Sequence, residues 1–262
     1  MISKLAFEFE RIGRQLWEVP TIRECKEVAL LASYPKSGNT WLRFIASNIV
    51  AYKLNRNDVD FASIVNYAPE IRYNRALEGM ISVEGIPNLL KTHFPYVRGY
   101  SGLNAVVLFR DPKRSIVSYY HYMKHEHLKD YGTLAKFVSS PRKGIDYWNF
   151  YHQSWINSSA IFVSYDDLVK NPVDGLRLMY QKLGVELSSD FLRVVVSRAT
   201  KERMADLELR RGDPFKKNID YSFVNKGESR DVQELGMSEI ATKIDLQCNH
   251  VYSALLKRRI RF

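Results

Sequence analysis

Residues 33–41 have the types and order of an anion-binding loop. An apolar run at residues 28–33 is followed by Tyr-Pro-Lys-Ser-Gly-Asn-Thr-Trp, and a helical pattern begins at once. Such a turn points free backbone N–H groups to the carboxyl edge of a sheet, where the helix dipole favours an anion. Lys36 adds positive charge, and Gly38 permits close approach of the backbone. The pattern favours a phosphate or sulfate site over a purely structural turn.

This loop differs from the GxxxxGK-Ser/Thr phosphate loop of ATPases. Gly38 and Thr40 match the last glycine and the hydroxyl residue of that pattern. Ser33 replaces the first glycine, and Asn39 replaces the lysine. Because Lys36 delivers the positive charge from a different place, an ordinary ATPase loop is not indicated.

A second candidate site follows the apolar run at residues 105–109. Arg110 ends this run, and Ser118 lies eight residues later in a helical pattern. The guanidinium would give a forked, charge-assisted bond and the hydroxyl a neutral one, so both could meet on one phosphate. A helix-capping turn with a surface arginine is the alternative.

A histidine stands at the end of a third apolar run, residues 89–92. His93 follows this run, and ligands of open α/β sheets bind at the carboxyl ends of strands. A single histidine is more often structural, but its place beside an anion loop favours a catalytic role. The pair His125 and His127 beside Glu126 is interpreted as a solvated helix end, and no metal is expected.

These residues need a frame that brings strand ends together. Strands are predicted at residues 28–33, 89–92, 105–109 and 160–164, and helices at residues 40–52, 112–124, 146–157 and 166–183. This alternation predicts a single α/β domain over residues 1–262, with a central parallel sheet flanked by helices. Residues 1–26 are expected to form a helical extension that packs on the domain or contacts a membrane or partner. Residues 55–87 and 201–238 are expected to be substrate loops and a lid.

Composition restricts the class of partner. The formal net charge of +10 favours a polyanion: nucleic acid, anionic membrane, acidic polysaccharide or a multiply phosphorylated nucleotide. The two cysteines, far apart in the sequence, indicate neither a disulfide framework nor a zinc site. Without a signal-peptide pattern or an apolar run of membrane-spanning length, a soluble, cytoplasmic protein is expected.

The first loop resembles the phosphosulfate loop YPKSGTTW of the sulfotransferases that use 3′-phosphoadenosine-5′-phosphosulfate (PAPS). Asn39 is the one departure in these eight positions. The resemblance implies a P-loop-nucleotide-kinase-like fold, with PAPS as co-substrate and adenosine 3′,5′-bisphosphate (PAP) as product. The loop residues implied to bind the nucleotide are Lys36, Ser37, Gly38, Asn39, Thr40 and Trp41.

The second and third sites are also similar to elements of this family. Arg110 and Ser118 match its 3′-phosphate signature, and the Lys-Thr-His segment looks like its KTHLP-type element. The resemblance implies that His93 is the general base and that Lys91 contacts the sulfuryl group. It also implies that Lys36 neutralises the leaving group and that Ser118 restrains Lys36.

Looser similarities imply further nucleotide contacts from Tyr165, Thr200, Lys226 and Gly227. Asn225 stands where the family's lid has an arginine. Either PAPS binds more weakly than in typical members, or another cation replaces that charge. The candidates are Lys216, Lys217 and Arg230.

The implied reaction is in-line transfer of a sulfuryl group to a hydroxyl or amine, without a metal. The implied partner is a small-molecule or saccharide acceptor, not nucleic acid or a membrane into which the protein inserts stably, and the oligomeric state is left open. The tyrosines suit a phenol or sterol, whereas the arginines suit a carboxylated or saccharide acceptor: Tyr67, Tyr73, Tyr96 and Tyr100, and Arg72, Arg75 and Arg98. The rival functions are an ATP-dependent small-molecule kinase and a non-catalytic polyanion binder.

Overall fold

Four parallel strands form the centre of the protein. The sheet has the order β2-β1-β3-β4, so β1 lies between β2 and β3. The strands are β1 Val28–Ala32, β2 Asn88–Thr92, β3 Ala105–Phe109 and β4 Ile161–Ser164. This computed structural model describes residues 22, 23, 25, 27–56, 58–71, 77, 79–218, 222, 224 and 237–262.

Helices connect and cover these strands. The predicted α/β architecture with parallel pairing is confirmed. The helices of the described residues are α1 Asn39–Lys53, α2 Ile64–Tyr67, α3 Pro112–His125, α4 Leu134–Val138, α5 Ile145–Ile156, α6 Tyr165–Lys170, α7 Pro172–Lys182, α8 Ser189–Arg198, α9 Lys201–Arg211 and α10 Ser238–Arg258, with a 3₁₀ turn at Arg98–Tyr100.

The inner strands are buried on both faces. Every residue of β1 and β3 is apolar and buried, as expected for a parallel sheet covered by helices on each side. One face, with Leu30 and Phe109, packs in a core with residues of α3, α5 and α10. The other face, with Leu31 and Leu108, packs in a core with residues of α1, α7 and α8. The carboxyl ends of all four strands therefore meet at one edge.

Two predicted segments differ from the structure. The single helix predicted at residues 166–183 is wrong, because the chain forms α6 and α7 with a break at Asn171 (φ −131°, ψ 67°). Pro172 causes the break, since it lacks an N–H group and disfavours helical backbone at the preceding residue. Residues 201–211 of the predicted lid are helix α9, which begins after the Thr200 cap and ends at Gly212.

Several predicted features lie outside the described residues. They are Arg72, Tyr73, Arg75, Asn225, Lys226, Gly227, Arg230 and nearly all of the N-terminal extension. In the parts of the chain that are described, no helix combines the length and the apolarity needed to cross a membrane.

Candidate active site

The loop between β1 and α1 is a concave set of backbone donors. Lys36 (φ 65°) and Gly38 (φ 94°) both have a left-handed backbone conformation. Where left-handed and right-handed residues alternate, successive backbone N–H groups point toward one side. The amides of the first turn of α1 have no intrahelical acceptor. The buried Ser37 hydroxyl bonds to none of the described residues. This loop has the donors, and the geometry, to bind an anionic group.

The ring of Tyr165 closes against this loop. A Cβ atom added to Gly38 would lie 2.1 Å from the Tyr165 Cδ2 atom, so the ring occupies the space of any larger side chain. Trp41 contacts the same ring edge to face, with centroids 5.8 Å apart. The Arg110 guanidinium carbon lies 5.0 Å from the Tyr165 ring centre. The ends of β1, β3 and β4 thus bring together Gly38, Arg110 and Tyr165.

Arg110 is half-buried, and its buried Nε atom bonds to none of the described residues. One terminal nitrogen donates to the Lys36 carbonyl oxygen at 3.4 Å. Burial lowers the pKa of Arg110, while the neighbouring Tyr165 and Asp166 raise it. Ser118 is half-buried in the second turn of α3. Arg110 and Ser118 therefore follow the same strand, as the sequence predicted.

Lys36 lies over an aromatic ring at the base of the loop. Its Nζ atom is 4.6 Å from the centre of the Tyr122 ring, one helical turn beyond Ser118. Burial, followed by the positive charges of Arg110 and Lys91, lowers the pKa of Lys36 to about 8. A basic cluster of this kind favours binding of an anion, which would relieve the repulsion among its cations.

His93 is oriented through its Nδ1 atom, which lies 2.7 Å from the Ser33 carbonyl oxygen. Because a carbonyl can only accept, the neutral imidazole carries its proton on Nδ1 and leaves Nε2 as the basic nitrogen. The Ser33 amide donates to the Thr92 carbonyl at 3.1 Å, which fixes that acceptor to β2. Asn39 Nδ2 donates to Ser33 Oγ at 3.0 Å, so the side chain of Asn39 also holds Ser33 in place.

Lys91 is held by a carboxylate that the sequence did not indicate. Its Nζ atom lies 3.0 Å from Glu70 Oε2. The chain before and after Glu70 runs along β2, with the Lys91 amide donating to the Pro69 carbonyl and the Ile71 amide to the Lys91 carbonyl. Lys91 lies near the carboxyl end of β2, and His93 directly follows that strand.

A cavity of about 590 Å³ opens beside Lys91 and the start of α1. This volume is in the range of small-molecule sites. Tyr96 and Tyr100, predicted as acceptor contacts, pack instead against Trp155 in the core. Tyr67 is also buried away from the cavity wall, and Arg98 is exposed. The cavity is lined by Thr40, Arg43, Phe61, Ile64, Val65, Asn66, Pro69, Glu70, Gly79, Met80, Lys91, Tyr122, Glu126, Asp213, Phe215 and Lys216.

Two buried carboxylates hold the segment that follows α9. Glu126, 4% exposed, accepts from the Lys217 amide at 2.6 Å. Glu208, 8% exposed, accepts from the Val224 amide at 3.0 Å. At the predicted solvated helix end His125 is exposed and His127 half-buried, whereas the carboxylate of Glu126 between them turns inward to bind backbone. No short run of sequence encodes this contact.

The two described lysines that could replace the missing lid arginine have other partners. Lys216 lies 3.5 Å from Glu208, and the Lys217 ammonium lies 3.3 Å from His127 Nδ1. Thr200 caps α9 by accepting from the Arg203 amide at 3.2 Å. Ala199, the residue before Thr200, accepts a hydrogen bond from the indole N–H of Trp41 through its carbonyl oxygen. This bond brings Thr200 close to the loop.

Within the described residues, no group of three or more His, Cys, Asp or Glu side chains has the arrangement of a metal site. The positive groups that meet at the sheet edge are instead Lys36, Lys91 and Arg110. Their charge suits a phosphorylated or sulfated ligand.

Comparison with known proteins gives the same family as the loop motifs. The sulfotransferase domain model matches residues 26–256. Sulfotransferase 6B1 of Pan troglodytes is 26% identical over 192 residues, which cover 67% of this chain and 61% of the relative. The chain thus spans about three fifths of the length of that curated relative.

Two solved structures share the fold. The mouse sulfotransferase SULT7A1 complexed with PAP has a TM-score of 0.57 and 17% identity, covering 88% of this chain and 87% of that chain. Retinol dehydratase in a complex with retinol and PAP has a TM-score of 0.60 and 15% identity, covering 97% and 88%. Because the family model matches most of the sequence, the chain belongs to the sulfotransferase domain family.

Proposed function

We propose that this protein transfers a sulfuryl group from PAPS to a hydroxyl or amine of a small-molecule or saccharide acceptor. The observation that carries the proposal is the convergence of the phosphate loop, Arg110 and a correctly oriented His93 at one edge of the sheet. Ser37 Oγ and Arg110 Nε, both buried without a described partner, fit the oxygen atoms of such a nucleotide. The PAP in the two structures of the same fold supports the same nucleotide here.

Separate groups would hold the two ends of the nucleotide. The loop amides, Ser37 and Lys36 bind the phosphosulfate, while Arg110 and Ser118 bind the 3′-phosphate. Tyr165 lies between these groups, with Gly38 on one side and the Arg110 guanidinium near its ring. Further nucleotide contacts are assigned to Asn39, Thr40, Trp41, Thr200, Lys226 and Gly227.

Each charged residue has a distinct task in the transfer. PAPS supplies an activated sulfuryl group whose leaving group is the anion PAP. His93 Nε2 takes the proton of the acceptor hydroxyl as the new S–O bond forms. Lys36 neutralises negative charge on the phosphate oxygen as the old S–O bond breaks, and Lys91 stabilises the sulfuryl oxygens. Since these cations supply the charge stabilisation, we propose a reaction without a metal.

The segment after α9 would act as the lid of the acceptor cavity. Asp213, Phe215 and Lys216 line that cavity, and the following backbone is anchored to Glu126 and Glu208. Closure there would exclude water from the sulfuryl group and limit hydrolysis. Ser118, one turn before Tyr122, is assigned to restrain Lys36 until an acceptor is bound.

Transfer of radiolabelled sulfur from PAPS to a mixed library of phenols, sterols, amines and saccharides tests the proposal. The wild type should label at least one acceptor class, and Lys36→Met and His93→Ala should lower that labelling about 10²-fold or more. Lys182→Met, which alters an exposed lysine at the end of α7, is the control and should match the wild type. Labelling from ATP carrying a radioactive terminal phosphate, with none from PAPS, would instead establish the kinase alternative.

A further inference from the structure

The acceptor cavity has a buried arginine in its wall. Arg43 lies in α1, one turn after Thr40, and only 7% of it is exposed. Its Nε atom donates to the Ala68 carbonyl oxygen at 2.7 Å, and one terminal nitrogen donates to the same oxygen. Arg43 nevertheless lines the cavity, and only one of its two terminal nitrogens bonds to Ala68.

Arg43 has no carboxylate partner of its own among the described residues. Glu70, the acid whose charge influences it, forms its ion pair with Lys91. Burial lowers the pKa of Arg43 to about 10, while Glu70 raises it, so the guanidinium is charged at neutral pH. A buried charge that is bonded to a carbonyl but lacks a counter-ion is costly, and an anion supplied by a ligand would offset that cost.

Two other acids line the cavity, Glu126 and Asp213, and the lining Lys216 lies 3.5 Å from Glu208. An anionic group is repelled from the positions of these acids and attracted to the guanidinium of Arg43. The Arg43 fork is suited to a planar carboxylate, which can accept two parallel bonds.

We propose that Arg43 binds a carboxylate of the acceptor and so selects hydroxyl or amine acceptors that carry an anionic group. The inference rests on the proposed sulfuryl transfer and specifies its acceptor class. The acceptor lies with its nucleophile at the Lys91 end of the cavity and its carboxylate at Arg43. Neutral sterols and simple phenols lack this contact.

Three phenols that share a ring and differ in charge provide the test: 4-hydroxyphenylacetate, 4-ethylphenol and tyramine. Each is titrated by calorimetry into protein saturated with PAP, so that binding is measured without turnover. We expect the wild type to bind the carboxylate probe about 10-fold or more tightly than the neutral one, as for one charge-assisted contact. Tyramine should bind most weakly of the three.

Two variants assign that preference to Arg43. Arg43→Gln should retain PAP affinity and lose the preference, whereas Arg43→Lys should recover part of it. Glu70→Gln removes the competing anion without touching the Arg43 bonds to Ala68, and should tighten binding of 4-hydroxyphenylacetate while weakening that of tyramine. If Arg43→Gln fails to fold, Arg43→Lys decides, because Glu70→Gln also frees Lys91 from its ion pair.

The outcomes separate the two proposals. A wild type that binds PAP but does not prefer the carboxylate probe, or an Arg43→Gln protein that keeps the preference, overturns the acceptor assignment and leaves sulfuryl transfer standing. A Glu70→Gln protein with unchanged probe affinities also overturns it. A protein that binds no PAP overturns the proposed function itself.

Discussion

The nucleotide side of the candidate site and its acceptor side differ in how their polar groups are satisfied. On the nucleotide side, Ser37 Oγ and Arg110 Nε are buried and bond to no described residue. On the acceptor side, Lys91 is paired with Glu70, and Glu126 is bonded to lid backbone. The first arrangement leaves donors unsatisfied, whereas the second is already held together by protein contacts.

Because of this difference, we expect the nucleotide side to determine the affinity for PAP and the acceptor side to determine which acceptor is used. The nucleotide side presents preorganised donors, so nucleotide binding should be strong and sensitive to single changes in the loop. The acceptor side is built from segments far apart in the chain. It contains the buried Arg43, which forms no ion pair with a carboxylate of the described residues. Changes there should alter which acceptor is used while leaving nucleotide affinity unchanged.

The largest effect is expected where the two sides meet, at His93. His93→Ala removes the proposed general base and should lower kcat about 10²- to 10⁴-fold. The affinity for PAP should be unchanged, because His93 Nδ1 bonds to the Ser33 carbonyl oxygen, which is an acceptor and not one of the anion-binding donors. Turnover assays and calorimetry on the same protein measure the two quantities. His250→Ala, an exposed position on α10, is the control; similar kcat losses in both variants would argue against a specific role for His93.

A large effect on the nucleotide side is expected from Gly38→Ala. The added Cβ would collide with the Tyr165 ring, and the residue would keep a left-handed backbone. We expect PAP affinity to fall about 10-fold or more, since one preorganised contact is typically worth that much. Gly184→Ala has the same backbone constraint (φ 85°) outside the loop with no atom within 4 Å, so it controls for a general effect of a strained alanine on the protein. Equal PAP affinity in the two variants would contradict the Tyr165 contact.

A smaller effect on nucleotide affinity is expected from pH. Because the pKa of Lys36 is lowered to about 8, its ammonium is present below that pH and is lost above it. PAP affinity should therefore fall as the pH rises through about 8, by up to about 10-fold for one charge-assisted bond. Calorimetric titrations of wild type and Lys36→Met across this range provide the measurement. A pH profile that is unchanged in Lys36→Met would show that another group titrates.

The smallest effect is expected at the lid. Glu126→Gln keeps one acceptor oxygen but weakens the bonds to the Lys217 and Asn218 amides. The acceptor KM should rise about threefold to tenfold, consistent with the loss of charge from one bond, while PAP affinity stays constant. Steady-state kinetics with any labelled acceptor provide the measurement. Glu186→Gln, at an exposed position, should have no effect, and a loss of PAP affinity in Glu126→Gln would remove the distinction between the two sides.

The nucleotide side could be predicted from the sequence because each of its elements is local. A strand, a tight turn and a helix dipole occur within residues 28–53, and Arg110 and Tyr165 each directly follow a buried strand. Parallel pairing then brings these strand ends to one edge. The prediction therefore required only short patterns and a rule of topology.

The acceptor side could not be predicted in the same way. Glu70 contacts Lys91 across 21 residues, and Glu126 contacts Lys217 across 91, so neither pair leaves a local pattern. Arg43 occupies a helix position whose burial depends on the packing of residues 58–71 against α1. The break at Pro172, by contrast, was available from the sequence, since proline disfavours helix at the residue before it.

Calorimetric titration with PAP, with AMP and ATP as comparisons, tests the central claim most directly. The wild type should bind PAP about 10- to 100-fold more tightly than AMP, because only PAP has the 3′-phosphate that we propose Arg110 and Ser118 bind. Arg110→Ala should lose this preference, and Arg177→Ala, an exposed position on α7, should retain it. A preference for ATP, or equal affinity for PAP and AMP, would contradict the account.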